Sequence, residues 1–147
     1  MNKYSSQSHV RWDCKYHVVL VPKYRKKVIF GQLRKEIGSI LKELLRQKGV
    51  EVIEGHAMPD HIHMCLSIPP KISISSVVGF VKGKSTIVMR RRHFPKWEHV
   101  HFRFWSRGYF VTTVGLDEEI VRNYIRNQEK LDKIEDQLAF WPAGKGL

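Results

Sequence analysis

Two places in this 147-residue chain bring together side chains suited to phosphoryl chemistry. In His61-Ile62-His63 the imidazoles are two residues apart, so on a β-strand they share a face and can approach one ion. Tyr124 and Gln128 are four apart, so on a helix they stack on one side. Two imidazole nitrogens and an amide oxygen form a donor set for a divalent cation, with a phenol beside it. Each half alone has a plainer reading: polar residues on a half-exposed sheet, and an ordinary helix edge.

Taken together, they define a reaction. A phenol with a pKa near ~10 is a poor nucleophile at neutral pH, but a nearby cation stabilises its phenolate and polarises the phosphate it attacks. Attack on a phosphodiester yields a phosphotyrosine and a free sugar hydroxyl. One diester replaces another, so a second hydroxyl can reverse the step without ATP. Imidazoles alone would suit zinc, whereas phosphoryl transfer with an oxygen ligand suits magnesium or manganese; spacing leaves the choice open.

The elements that must position these groups are legible as patterns. Lys15 to Val21 is a β-rich apolar run stopped by Pro22. Leu33, Ile37, Ile40, Leu41, Leu44 and Leu45 repeat at three and four, predicting a helix that ends at Gly49. Val50–Ala57 and His61–Ile68 read as a hairpin joined by Met58-Pro59-Asp60, with Ile62, Met64, Leu66 and Ile68 on the face opposite the histidines. Helical spacing returns from Ser73 toward Arg92, through Ile74, Val77, Val78 and Val81. An aromatic strand over about 102–114 is interrupted at Gly108. Asp117, Glu118 and Glu119 then open a last helix with Ile120, Val121 and Ile125 as its apolar stripe. The order β-α-β-β-α-β plus one helix predicts an α+β, ferredoxin-like (RRM-like) split βαβ fold: an antiparallel sheet with two helices on one face. The chain reads as one domain over 1–147, with a tail from about 140.

Composition narrows the partners. Lys and Arg number 26 against 14 Asp and Glu, a net +12. Residues 1–50 hold 12 basic and 3 acidic groups and residues 71–107 hold 9 and 1, whereas 51–70 and 108–147 are slightly acidic. Such a field favours a polyanion, and Lys23, Arg25, Lys82, Lys84, Arg90, Arg91 and Arg92 are the candidate nucleic-acid contacts. Solvated helix charges are the plainer alternative. No apolar run reaches the ~18–20 residues of a membrane span, and the polar start is unlike a signal peptide, so a cytoplasmic protein without membrane attachment is expected. Two cysteines, Cys14 and Cys65, read as reduced.

Several features invite other readings. Gly79-x3-Gly83-Lys84-Ser85 falls one residue short of a phosphate loop and lies inside a helical pattern, so no nucleoside triphosphate is expected. Cys65 shares the histidine face but sits about 7 Å further along the strand from His63, poorly placed for a shared ion. His17, His56 and the group His93, His99, His101 show no partner at readable spacing. Trp97, Trp105 and Tyr109 are aromatic enough to stack bases, though strand aromatics are mostly core.

These residues also resemble a known family. His61-Ile62-His63 is similar to the histidine–hydrophobic–histidine (HUH) motif, and Tyr124-Ile125-Arg126-Asn127-Gln128 to the nucleophile helix, of the small single-tyrosine HUH transposases of bacterial insertion sequences, the TnpA type. The similarity spans nearly the whole chain, including Arg11-Trp12, Val21-Pro22-Lys23-Tyr24-Arg25, Lys82-Gly83-Lys84-Ser85 and Phe104-Trp105. The resemblance implies Tyr124 as nucleophile and His61, His63 and Gln128 as ligands of magnesium or manganese. It further implies single-stranded DNA with imperfect hairpins as substrate, a 5′-phosphotyrosine intermediate, and a homodimer in which one subunit's tyrosine helix can complete the other's histidine pair. The rival is a non-catalytic single-stranded RNA- or DNA-binding module using an open sheet face, which would not need the Tyr124/Gln128 pair.

Overall fold

A computed structural model describes residues 5–7, 10–12, 14–94, 103–113 and 118–140, with side chains for 14–94, 103–113 and 119–134. Six strands and three helices are present among the described residues: β1 (Ser5–Gln7), β2 (Val10–Trp12), β3 (Lys15–Leu20), α1 (Gly31–Gln47), β4 (Glu51–Met58), β5 (His61–Ser67), α2 (Ile74–His93), β6 (Phe110–Thr112) and α3 (Glu118–Phe140). The pair β1–β2 is a separate antiparallel ladder that sequence patterning did not foresee. The other four strands form one antiparallel sheet in the order β4-β5-β3-β6.

Alternation along β3 and β5 sends their two faces to different partners. Val18, Leu20, Ile62, Met64 and Leu66 join one core with Leu33, Ile37, Ile40, Leu41, Leu44 and Leu45 of α1 and Val77, Val78, Val81 and Met89 of α2. The stripe on α1 is therefore the buried face its spacing predicts; Gly49, at φ +73°, follows the helix in the left-handed conformation that glycine tolerates. Ser73 caps α2, its hydroxyl accepting from the Ser76 amide at 3.2 Å. On the opposite face Val19 and Val21 pack with Val121 and Ile125 of α3. The third residue of the expected α3 stripe, Ile120, is 51% exposed.

Two irregularities shape that second face. Between Val52 and Glu54 the β4–β5 register slips by one residue, and Ile53 bulges outward. The last strand is shorter than expected and broken in two. Trp105 bridges Pro22, and pairing resumes at Phe110 opposite Val19, so five steps of one chain match three of the other. The excess forms the Arg107–Tyr109 excursion, with Gly108 at φ +78°. Residues 95–102 and 114–117, which carry Trp97, His99, His101 and Asp117, lie outside the described residues.

Candidate active site

The histidines stand where alternation puts them, on the face of β5 turned away from α1 and α2. Their ring centroids are 6.0 Å apart. His61 Nδ1 lies 2.9 Å from Asp60 Oδ1 in the hairpin loop. His63 is opposite Val19 on one side and His56 on the other. The rings of His56 and His63 meet edge to face at 4.8 Å, and His56 Nε2 is 2.7 Å from Glu54 Oε1. His56 therefore does have a partner, contrary to the expectation from spacing. The bulge at Ile53 is the reason: strict alternation from Val52 would have pointed His56 into the core. Burial first, and then neighbouring His56 and His61, hold His63 below the usual histidine pKa, so it is neutral at physiological pH.

Tyr124 and Gln128 are together on α3, above the Arg107–Tyr109 excursion. The Tyr124 ring packs on Phe110 with centroids 5.7 Å apart. A Cβ on Gly108 would be 3.9 Å from the Tyr124 hydroxyl and 3.8 Å from Gln128 Nε2. Gln128 is buried and donates from Nε2 to the Arg107 carbonyl. Burial, followed by the charge of Asp132, pushes the Tyr124 phenol well above its ordinary pKa, so it is protonated as it stands.

One turn beyond Gln128 stands a residue that sequence reading missed. Asp132 is 1% exposed; its Oδ2 accepts from the Tyr24 amide at 2.8 Å and from the Ser106 hydroxyl. Tyr24 is itself left-handed at φ 61°, in the 3-10 turn Lys23–Arg25 that follows β3. Arg25 adds an ion pair to Glu129 at 3.1 Å. Tyr124, Gln128 and Asp132, each four residues from the next, thus seat one side of α3 on the excursion and the turn. The only signal available for Asp132 was this spacing.

The two groups share a face of the sheet but stand apart. His63, Val19 and Phe110 occupy one row across β5, β3 and β6, so the histidine strand and the strand beneath Tyr124 are separated by two strand spacings, about 9–10 Å.

The basic candidates divide. Lys82 is turned inward, donating from Nζ to the carbonyls of Ser106 at 2.6 Å and Gly108 at 3.0 Å, and burial lowers its pKa. Lys84, Arg91 and Arg92 are exposed, and Arg90 to Arg92 fill the last turn of α2. Lys23 lies 5.4 Å above the Tyr24 ring. His93, also expected without a partner, pairs with Glu36 at 2.7 Å. Trp105 is core, donating from Nε1 to the buried Ser85 hydroxyl at 2.9 Å, and Gly83-Lys84-Ser85 is interior to α2 rather than a loop.

The chain is similar to known proteins over most of its length. Residues 10–128 match the family of IS200-like transposases. The transposase for insertion sequence element IS200 of Salmonella typhimurium is 42% identical over 140 residues, covering 95% of this chain and 92% of that protein. A crystal structure assigned as a transposase from Deinococcus radiodurans superposes with a TM-score of 0.75 at 28% identity, covering 84% of this chain and 97% of that one. A REP-associated tyrosine transposase bound to a REP hairpin shares the fold at a TM-score of 0.53 and 12% identity, over 82% of this chain and 68% of that one.

Proposed function

We propose, on the premise that the chain belongs to the IS200-like transposase family and so cuts and rejoins DNA, that it acts on single-stranded DNA at hairpin-marked element ends through a 5′-phosphotyrosine on Tyr124. Family membership sets aside the purely binding module. The strand order β4-β5-β3-β6, with α1 and α2 on one face, supports reading the unit as one ferredoxin-like domain with α3 as its nucleophile helix.

The observation that carries the proposal is the seating of Tyr124 and Gln128 together on the histidine side of the sheet. In the reaction Tyr124 gives up its phenolic proton, its oxygen bonds to phosphorus, and the P–O3′ bond breaks to leave a 3′-hydroxyl. A later hydroxyl displaces Tyr124 and restores a diester.

The donor chemistry at the histidines fits a divalent cation, magnesium or manganese. His63 is neutral and His61 shares its face. Among the described residues no three His, Cys, Asp or Glu side chains are grouped to hold an ion, so the pair needs an oxygen of another kind. The Gln128 amide oxygen and phosphate oxygens are such donors. When bound, the cation would polarise the phosphate and stabilise the phenolate. The two-strand separation favours a homodimer in which the Tyr124 helix of one subunit serves the histidines of the other. Lys84, Arg91 and Arg92 supply cations for the phosphate backbone, and Lys23 and Arg25 lie beside the α3 seat.

Incubation with a labelled single-stranded hairpin oligonucleotide and magnesium tests the reading. An SDS-resistant adduct is expected with the wild type and is absent from Tyr124→Phe, which still binds the hairpin. An undiminished adduct in that variant removes Tyr124 from its role.

A further inference from the structure

The loop joining β4 and β5 has two residues, Pro59 and Asp60. Its backbone is tied to the body by the Ile29 amide, which donates to the Pro59 carbonyl at 3.1 Å, so the loop does not depend on the Asp60 side chain for anchoring. That carboxylate instead meets His61 Nδ1 at 2.9 Å, with the Asp60 and His61 side chains only 23% and 17% exposed. A carboxylate accepts and does not donate, so the hydrogen resides on Nδ1. The neutral ring is thereby held as the Nδ1–H tautomer, with its lone pair on Nε2.

We infer that Asp60 is a positioning residue, fixing His61 in the tautomer and orientation in which Nε2 serves a divalent cation. The inference rests on the metal reading above. An imidazole without a partner populates both tautomers and turns about its Cβ–Cγ bond, so part of its population presents N–H to the ion and binds nothing. A carboxylate on the far nitrogen removes that loss and makes the ring a stronger donor; outer partners of this kind are typically worth ~10–100-fold in metal affinity. Asp60 precedes the first histidine directly, so the β-hairpin turn itself delivers the carboxylate to the ring.

Nitrogen–proton correlation spectra of the histidine rings at about pH 8, where an ordinary histidine is neutral, read the tautomer without any metal. His61 is expected in the Nδ1–H form in the wild type and shifted toward Nε2–H in Asp60→Ala. Asp60→Asn, whose amide oxygen still accepts, keeps most of the wild-type pattern. Titration with Mn2+ alone, followed by broadening of the His61 and His63 ring signals, should need roughly tenfold more ion or greater in Asp60→Ala. Unchanged signals from the Ile62 and Met64 methyls show that the variant is folded. A wild-type ring in the Nε2–H form, or an Asp60→Ala chain that binds Mn2+ as tightly as wild type while His61→Ala does not, overturns the inference alone. Absence of broadening in the wild type overturns the metal reading and the inference with it.

Discussion

The hydroxyl of Tyr124 stands over Gly108, 3.9 Å from where that residue would carry a Cβ. The gap is ordinary contact distance, so the glycine is required by its backbone rather than by crowding. At φ +78° an alanine is strained by about 1–2 kcal/mol. Gly108→Ala is expected to lose that much stability in urea denaturation; an unchanged midpoint would mean that the excursion relaxes out of the left-handed region.

Whether the histidines and the phenol meet within one subunit or between two is decided by mixing inactive chains. Tyr124→Phe and His61→Ala are each expected to form no adduct, and their mixture to recover part of the wild-type yield. Continued inactivity of the mixture would place both groups of a working site on the same chain.

Asp132 is buried with two donors directed at it. Asp132→Ala leaves the Tyr24 amide without its acceptor, whereas the Ser106 hydroxyl can still donate to the Pro22 carbonyl at 3.2 Å, so the change should cost about 1–3 kcal/mol in chemical denaturation. Asp132→Asn retains an acceptor oxygen and should cost less. Equal losses in the two variants would show that charge, not hydrogen bonding, seats the helix.

His63 makes stability depend on pH. Its folded pKa is lowered, by burial and then by His56 and His61, so below about 6.5 the unfolded chain takes up a proton more readily than the folded one. Stability is fully present above that value and is lost as pH falls toward the lowered folded pKa. Denaturation midpoints across this window should decline with acid in the wild type and decline less in His63→Gln.

Chelation separates chemistry from binding. EDTA is expected to stop adduct formation while hairpin affinity persists. That affinity should itself fall steeply as salt rises, because a chain of net charge +12 binds DNA largely by displacing counterions. Turnover that survives chelation would remove the cation.

Much of this architecture was legible from spacing alone. The α1 stripe and the Ile62/Met64/Leu66 face follow from periodicity, which acts locally. What escaped depends on irregularity or on distant contacts. The bulge at Ile53 reverses which face His56 occupies, and the two-residue excess at Arg107–Tyr109 divides an aromatic run that otherwise reads as one strand. Lys82 read as a DNA-facing cation because nothing in α2 announces that carbonyls of the Ser106–Gly108 segment await its ammonium. Asp132 went unread, since its partners are 26 and 108 positions away.

The alignment of Tyr124 with Asp132 has a further consequence. It is a matter of angular phase as well as length: each residue added between them would turn one end of α3 by about 100° relative to the other. A single insertion there would leave the carboxylate in its seat and swing the phenol off Gly108, or the reverse. Changes in the length of this helix should therefore be tolerated beyond Asp132 and punished before it.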